Sequence, residues 1–414
     1  MLKTRLDRIQ RDIEEMAKFT CVEGIGCTRF TYTKEFAGAR DYIVAEMKAA
    51  GLEVREDAVG IIIGRMEGKN PDAPVIMTGS HFDTVKTGGR FDGPAGVTAA
   101  LETARTLHDE GFVPEVPIEF VALPEEEGAR FGAGLFGSRA ICGQLKPGEI
   151  ENNRDWDGIS VAEAMRKYGL DPSKAAKAQR KPGEIGKFIE LHIEQGPLLE
   201  KNKIDIGIVD AIVGLRVLNV RVHGRSDHAG NTPMNMRADT MLAAAKAITA
   251  GTEKAIELGE GTVMTCGRLE TVPGAFNIVA KETFFQIDCR SKTLANVDKV
   301  LEVVRASLDK SCEENAGLSY DMEEMVFANE LPMQPEIKDA LRQSADEAGI
   351  TYTDMLSGAG HDAMIMGSIC GAAMVFVPSK DGRSHVPEEW TDYEDLQKGV
   401  EVVYRTVKQL ASQK

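Results

Sequence analysis

Cysteine, histidine, basic charge and long apolar runs are all scarce in this 414-residue chain. The cysteines, at 21, 27, 142, 266, 289, 312 and 370, are odd in number and scattered, and form no CxxC. That excludes a disulfide framework and a zinc–thiolate knuckle, and it suits a reducing cytoplasm. The 49 basic residues are outnumbered by 65 acidic ones, for a net charge of -16. Nucleic acid and anionic membrane surfaces need basic patches, so neither is expected as the main partner. No apolar run approaches the roughly 18 residues of a membrane span. The opening stretch, MLKTRLDRIQRDIEEM, lacks an apolar signal core and reads as an amphipathic helix, so a cytoplasmic location is expected. No internal repeat or low-complexity segment is visible. The length corresponds to two or three domains at about 150 residues each.

Against this background residues 81–96, HFDTVKTGGRFDGPAG, stand out. Scarce histidine and two aspartates share sixteen positions with four glycines. A packed strand or helix does not want this composition, whereas a loop wrapping closely round a ligand does. The glycines at 88, 89, 93 and 96 do not fit the GxGxxG of a dinucleotide loop, and that motif has no use for His81 and Asp92.

Helix and strand signals alternate through the first half. Residues 37–51 and 95–107 have helical periodicity; 75–77, 118–123 and 188–193 are short buried strands. Such alternation implies a mostly parallel sheet flanked by helices, with ligands beyond the strands' carboxyl ends. His81, Glu127 and His192 lie at or just past such ends. From about residue 215 the rhythm changes to strand-helix-strand-strand-helix-strand, the ferredoxin-like order. The expected organisation is therefore an α/β catalytic domain, 1–212 and 329–414, with an inserted ferredoxin-like α+β domain at 213–328.

With only seven histidines, each can be judged. His108 reads as a surface helix residue and His223 as a solvated strand residue. The other five sit in glycine-rich or acid-rich contexts: HFD at 81, ELHIEQG at 192, SDHAGNTP at 228, SGAGHDA at 361 and GRSHVPEE at 385. Each alone has a bland reading as a hydrogen-bonded loop histidine; five of seven is harder to dismiss. Imidazole and carboxylate are the donors that zinc-like cations take. His81, Asp92, Glu127, His192 and His385 supply enough for a paired site. Asp83, two residues after His81, suits a carboxylate that fixes the imidazole from behind. Adjacent Glu126 and Glu127 suit a division of labour, one holding metal and one moving a proton. A solvated acidic turn is the alternative.

The segments GSHFDTV, GGRFDGPAGV, EEEGARF, ELHIEQGPLLE, GRSDHAGNTPMNMRADT, VPGAFNIV, DCR, SGAGHDAM and VPSKDGRSHVPEE resemble, in order, the dinuclear metallopeptidase superfamily that includes aminoacylases and carboxypeptidase G. They match best its carbamoyl amidohydrolase branch of N-carbamoyl-L-amino acid hydrolases, β-ureidopropionases and allantoate amidohydrolases. The resemblance implies two divalent cations per subunit, zinc or manganese, with cobalt or nickel as options. Asp92 would bridge them, His81 and His192 would complete one site, and Glu127 and His385 the other. Glu126 would be the catalytic base. His228, Asn277 and Arg290 would bind substrate, Arg290 as a fork on a carboxylate, and Gln195 with the Gly358–Gly360 backbone would line the pocket. The inserted domain would form a homodimer and act as a lid, His228 serving the partner's site. The bond after Asp92 would be cis. Arg216 would anchor a second ureido arm, which favours allantoate as substrate. N-carbamoyl-L-amino acid hydrolysis is the alternative; an aminoacylase, a peptidase or an inactive metal-binding protein is more remote.

Overall fold

The computed structural model describes residues 2–413. Its strands in chain order are β1 (Glu53–Glu56), β2 (Ile62–Met66), β3 (Val75–His81), β4 (Ile118–Leu123), β5 (Ile185–Ile193), β6 (Ile206–Ile212), β7 (Gly214–His223), β8 (Val263–Val272), β9 (Glu282–Ser291), β10 (Ser319–Ala328), β11 (Leu331–Pro332), β12 (Tyr352–Ser357) and β13 (Gly371–Val377). The helices are α1 (Leu6–Ala17), α2 (Lys34–Ala49), α3 (Pro94–Asp109), α4 (Phe136–Ile141), α5 (Glu149–Asn152), α6 (Val161–Tyr168), α7 (Leu198–Asn202), α8 (Thr240–Leu258), α9 (Leu294–Glu314), α10 (Pro335–Ala348), α11 (Asp362–Met366) and α12 (Tyr393–Ala411). Among the described residues no helix is long and apolar enough to cross a membrane.

The chain divides into two compact units. The first takes the residues through Asp210, Met333–Met355, and the chain from His361 on. Its sheet has the order β1-β2-β4-β3-β5-β13-β6, with β12 on β6. It is mixed, and less parallel than the helix–strand alternation implies. Strands β4, β3, β5 and β13 run parallel at the centre, while β1, β2 and β6 join antiparallel. The parallel centre has a consequence for chemistry. His81 ends β3, Leu123 ends β4 just before Glu125–Glu127, Ile193 ends β5 just after His192, and Val377 ends β13 before the loop carrying His385. Four carboxyl ends therefore face one side, where ligands of such sheets bind.

Helix α3 covers this centre. It is buried from Pro94 to Leu107, because its alanines, glycine and threonines let it lie directly on the strands. A Cβ at Gly96 would stand 2.4 Å from the Leu191 carbonyl oxygen, so only glycine permits that approach. Behind α3, the buried Asp12 of α1 takes a bidentate pair from Arg105 at 2.6 and 3.1 Å, which fixes the helix against its neighbours.

The second unit comprises Ala211–Pro332 and Leu356–Gly360. Its antiparallel sheet has the order β10-β7-β9-β8. Leu218, Val220 and Val222 of β7 and Phe285, Ile287 and Cys289 of β9 pack on α8 and α9. The other face of the sheet carries no helix of this cluster. Residues 356–360 belong with this unit and not with the catalytic part. The reason is local: Val213 N–H donates to the Ser357 carbonyl at 3.0 Å and Arg290 donates to the Gly358 carbonyl at 2.7 Å.

Candidate metal centre

Two of the buried histidines, His81 and His192, have Nδ1 set against a backbone carbonyl. His81 Nδ1 lies 3.1 Å from the Asp83 carbonyl oxygen, and His192 Nδ1 lies 3.0 Å from the Ile193 carbonyl oxygen. A carbonyl only accepts, so each Nδ1 carries a hydrogen, and in the neutral ring each Nε2 presents a bare lone pair. Both lone pairs point at one carboxylate oxygen: His81 Nε2 and His192 Nε2 are each 3.3 Å from Asp92 Oδ1. The other oxygen, Oδ2, is 3.4 Å from His385 Nε2, which is 3.5 Å from Glu127 Oε1. Gln195 Nε2 and Ser384 Oγ donate to Oδ2 at 2.7 and 2.8 Å.

Lone pairs facing lone pairs at such distances call for a cation. His81 Nε2 and Glu127 Oε1 are buried without a hydrogen-bond partner, which is costly unless something positive satisfies them. The donor atoms of His81, Asp92 and His192 lie within 4.8 Å of one another, as do those of Asp92, Glu127 and His385. Asp92 belongs to both sets, one oxygen to each. His81, Glu126 and Glu127 form a third such group. The donor chemistry, imidazole and carboxylate without thiolate, fits a divalent cation of the zinc and manganese kind.

The protonation behaviour says the same. Burial, with Glu127, Asp362 and Asp83 nearby, pushes Glu126 well above the usual carboxylate range. Burial and the neighbouring Asp92 push Glu127 up to about 7. For Asp92, burial works upward but His192, His385 and His81 hold it well below that range. For His81, burial works downward but Glu126, Asp92 and Asp83 raise it. The cluster asks for positive charge and takes protons where no metal supplies it.

Three expectations from the sequence change here. The Asp83 carboxylate does not brace the imidazole; it stands 3.7 Å from His81 Nδ1. It accepts instead the backbone N–H groups of Glu126 and Glu127, at 3.1 and 3.3 Å. Asp83 thus sets the turn on which the two glutamates sit, and its carbonyl does the bracing. The Asp92–Gly93 bond is trans; the cis bond among the described residues is Val272–Pro273. Gly93 at φ 78 makes the turn by itself, and a Cβ there would lie 2.3 Å from the His81 ring.

The third change concerns Arg216. Directly opposed residues of an antiparallel pair share a face. Arg216 opposes Cys289 and Leu215 opposes Arg290. Arg216 and Arg290 therefore point from opposite faces of the sheet. Arg216 lies on the face that carries α9: its guanidinium meets Asp298 at 3.0 Å, pairs with Glu324 and stands over the Phe327 ring. These contacts account for the residue without a ligand. Arg216→Leu is therefore expected to destabilise the fold by about 1 kcal/mol or less, the scale of a partly exposed pair, and to change kcat/KM for different ureido acids in equal proportion. Loss confined to allantoate would return Arg216 to the substrate.

On the other face, Arg290 grips Asp288 through Nε and Nη2, both at 2.7 Å, and Gly358 through Nη1. The fork expected on a substrate carboxylate holds a carboxylate of the chain, because residues two apart in a strand share a face. His228 Nδ1 accepts from the N–H groups of Gly230 and Asn231 at 3.0 and 3.2 Å, which leaves its proton on Nε2 as an outward donor. A β-bridge from His228 to Ile278, with Ala229 N–H on the Asn277 carbonyl, sets His228 and Asn277 side by side.

Several further buried acids belong to this part of the chain. Glu190 accepts from Ser80 Oγ at 2.7 Å and Ala363 N–H at 2.8 Å, and Asp362 is pushed by burial to about 8. His361 is buried with its ring 4.4 Å from that of His192. The signal was present for Glu190, an acid inside the apolar run FIELHI.

The profile described as "Peptidase family M20/M25/M40" matches residues 77–409. The N-carbamoyl-L-amino-acid amidohydrolase of Paenarthrobacter aurescens is 46% identical over 99% of this chain and 98% of its own length. The allantoate amidohydrolase of Escherichia coli (strain K12) is 36% identical over 98% of each. The crystal structure of an amidase of the hydantoinase/carbamoylase family from Burkholderia multivorans superposes with a TM-score of 0.92 at 30% identity, covering 100% of this chain and 99% of that one. The chain belongs to peptidase family M20/M25/M40, and within it to the amidohydrolases, which cut carbon–nitrogen bonds other than the peptide bond of the family's name.

Proposed function

We propose that this enzyme hydrolyses the ureido group of an N-carbamoyl-L-amino acid, releasing ammonia and carbon dioxide, with two divalent cations per subunit. The observation that carries the reading is Asp92, whose two oxygens each face a separate set of imidazole and carboxylate donors. His81 and His192 would hold one cation with Asp92, and Glu127 and His385 the other. Such a pair, when bound, supplies a Lewis acid for the ureido carbonyl and makes water acidic near neutral pH.

The chain's own residues do the rest. Glu126 takes a proton from the attacking water as the new C–O bond forms. The Nε2–H of His228, contributed across the homodimer proposed below, donates to the oxygen that gains charge. Glu126 returns the proton to the departing nitrogen, the C–N bond breaks, and ammonia leaves. The carbamic acid that remains decomposes to carbon dioxide and the amino acid. Asn277, Arg290, Gln195 and the Gly358–Gly360 backbone are the proposed substrate contacts; Arg290 has its Asp288 pair to exchange for a substrate carboxylate.

The carbamoyl-amino acid takes precedence over allantoate for two reasons. The 46% identical relative bears that name, and Arg216, the residue that favoured allantoate, is engaged on the helix-packed face. The test is ammonia release from a panel holding N-carbamoyl-L-amino acids, their D-enantiomers, allantoate, ureidoglycolate and an N-acetyl amino acid. The highest kcat/KM is expected on an N-carbamoyl-L-amino acid; a preference for allantoate or ureidoglycolate overturns the substrate reading. Dominant cleavage of the acetyl compound overturns the ureido reading itself.

The second unit is proposed to form a homodimer. Val263, Leu269 and Val272 along the edge strand β8 are exposed apolar residues, which supports it. His228 would then complete the partner's centre. Mixing inactive His228→Ala with inactive Glu126→Gln subunits should restore one working centre per heterodimer; no recovery after verified exchange refutes the shared centre.

A further inference from the structure

Two acids close the GRSHVPEE segment, and they have opposite fates. Glu388 is exposed and pairs with Arg383 at 3.1 Å. Glu389 is 3% exposed, and nothing in its sequence context separates it from its neighbour. Its Oε1 accepts two backbone N–H groups, from Phe91 at 2.9 Å and from Asp92 at 3.0 Å. Its Oε2 lies 2.9 Å from Ser384 Oγ, which is also 2.8 Å from Asp92 Oδ2. Ser384 directly precedes His385, which is held at φ 59, a left-handed conformation that costs a non-glycine residue energy and needs support from its surroundings. One carboxylate thus ties the loop before α3 to the loop after β13, 297 residues apart in the chain.

Space for it is provided by a glycine. A Cβ at Gly89 would stand 2.0 Å from Glu389 Oε1 and 2.1 Å from its carboxyl carbon. Gly89 has no positive φ among those of the chain's glycines. Its requirement is therefore room for Glu389, and not backbone freedom.

We infer that Glu389 is a positioning residue for the dinuclear centre: by clamping the Asp92 backbone and, through Ser384, the His385 loop, it sets the distance between the shared carboxylate and the second set of donors. The inference rests on the metal-centre reading above. Glu389 contacts no donor set as a ligand; it acts through the two loops it joins. Partners of this kind behind metal ligands are worth about 10–100-fold in metal affinity.

The test is a titration of chelator-treated, full-length protein with Co2+, followed by calorimetry and by visible d–d absorption. The wild type is expected to take up two equivalents. Glu389→Asp keeps the charge but withdraws the carboxylate from the two N–H groups, and Gly89→Ala displaces the side chain without altering it. Both are expected to bind at least one equivalent about 10–100-fold more weakly, with an altered d–d band. Glu389→Gln keeps an acceptor oxygen in place and is expected to stay close to wild type. Wild-type affinity for both equivalents in Glu389→Asp or Gly89→Ala overturns the inference. So does equal weakening in Glu389→Gln and Glu389→Asp, since charge and not reach would then be responsible. If thermal unfolding shows that neither loop variant folds, Ser384→Ala decides in the same way, with weaker binding expected and unchanged binding overturning the inference. A wild type that takes up no cobalt refutes the metal centre instead.

Discussion

Glu126→Gln should retain its metal and lose turnover by about 10²–10⁴-fold, the range for removing a general acid–base. The two neighbouring glutamates share an anchor, since Asp83 holds both backbone N–H groups. Their side chains then diverge. Glu127 Oε1 is buried, unpartnered and 3.5 Å from His385 Nε2, within the set that contains Asp92. Glu126 stands 3.8 Å from His81 Nε2 and is in neither set that includes Asp92. It is the acid left over once the shared carboxylate has served both sides. Its environment suits a proton carrier: burial and the carboxylates of Glu127, Asp362 and Asp83 raise its affinity for protons, and a nearby cation lowers it again. The amide introduced by Glu126→Gln has the same shape as the carboxylate and cannot take a proton. Glu127→Gln should instead lower metal content, with activity falling in proportion. Elemental analysis and kcat on purified variants separate the two roles. Metal lost from Glu126→Gln and retained in Glu127→Gln would mean that the roles are exchanged.

Removing metal with a chelator should abolish activity and leave the fold in place. The donors sit on elements that exist for other reasons. His81 and His192 lie at the ends of strands whose apolar residues are buried, and Asp92 stands two residues before a helix that is buried from Pro94 to Leu107. The two loop donors are held by hydrogen bonds within the chain, Glu127 through Asp83 and His385 through its neighbour Ser384, unlike a zinc knuckle, in which binding and folding are one event. Circular dichroism of the chelated protein should therefore match the untreated protein in shape, with a modest fall in Tm from the loss of binding energy. Zinc, manganese or cobalt should restore turnover. Full activity in protein shown by elemental analysis to be metal-free would refute the mechanism; collapse of the fold on chelation would refute the preformed centre.

Three of the four strands that carry the centre are legible in the sequence; β13, which precedes the His385 loop, is not. Short apolar runs ending in HFD, PEEEG and HIEQG state where buried strands stop, since burial and strand length are local properties of the chain. The ferredoxin-like order of the second unit was legible for the same reason, as period-two and period-3.6 patterns survive in one dimension. The segment 356–360 was not, because its attachment depends on hydrogen bonds to Val213 and Arg290 from the far side of the chain.

What the residues alone determined about this protein is therefore the inventory: five candidate donors, a further glutamate beside them and the glycines that let loops approach. What only the tertiary structure decided is which atom of each residue does the work. Asp83 was expected to brace His81 with its carboxylate, but its carbonyl faces the imidazole and its carboxylate holds the turn of Glu126 and Glu127. Arg216 and Arg290 look alike in sequence and face opposite sides of a sheet, because register assigns faces and register is a property of paired strands. Glu388 and Glu389 are indistinguishable in the sequence, and one is solvated while the other joins loops 297 residues apart. Such assignments depend on partners remote in sequence, and local pattern carries no information about them.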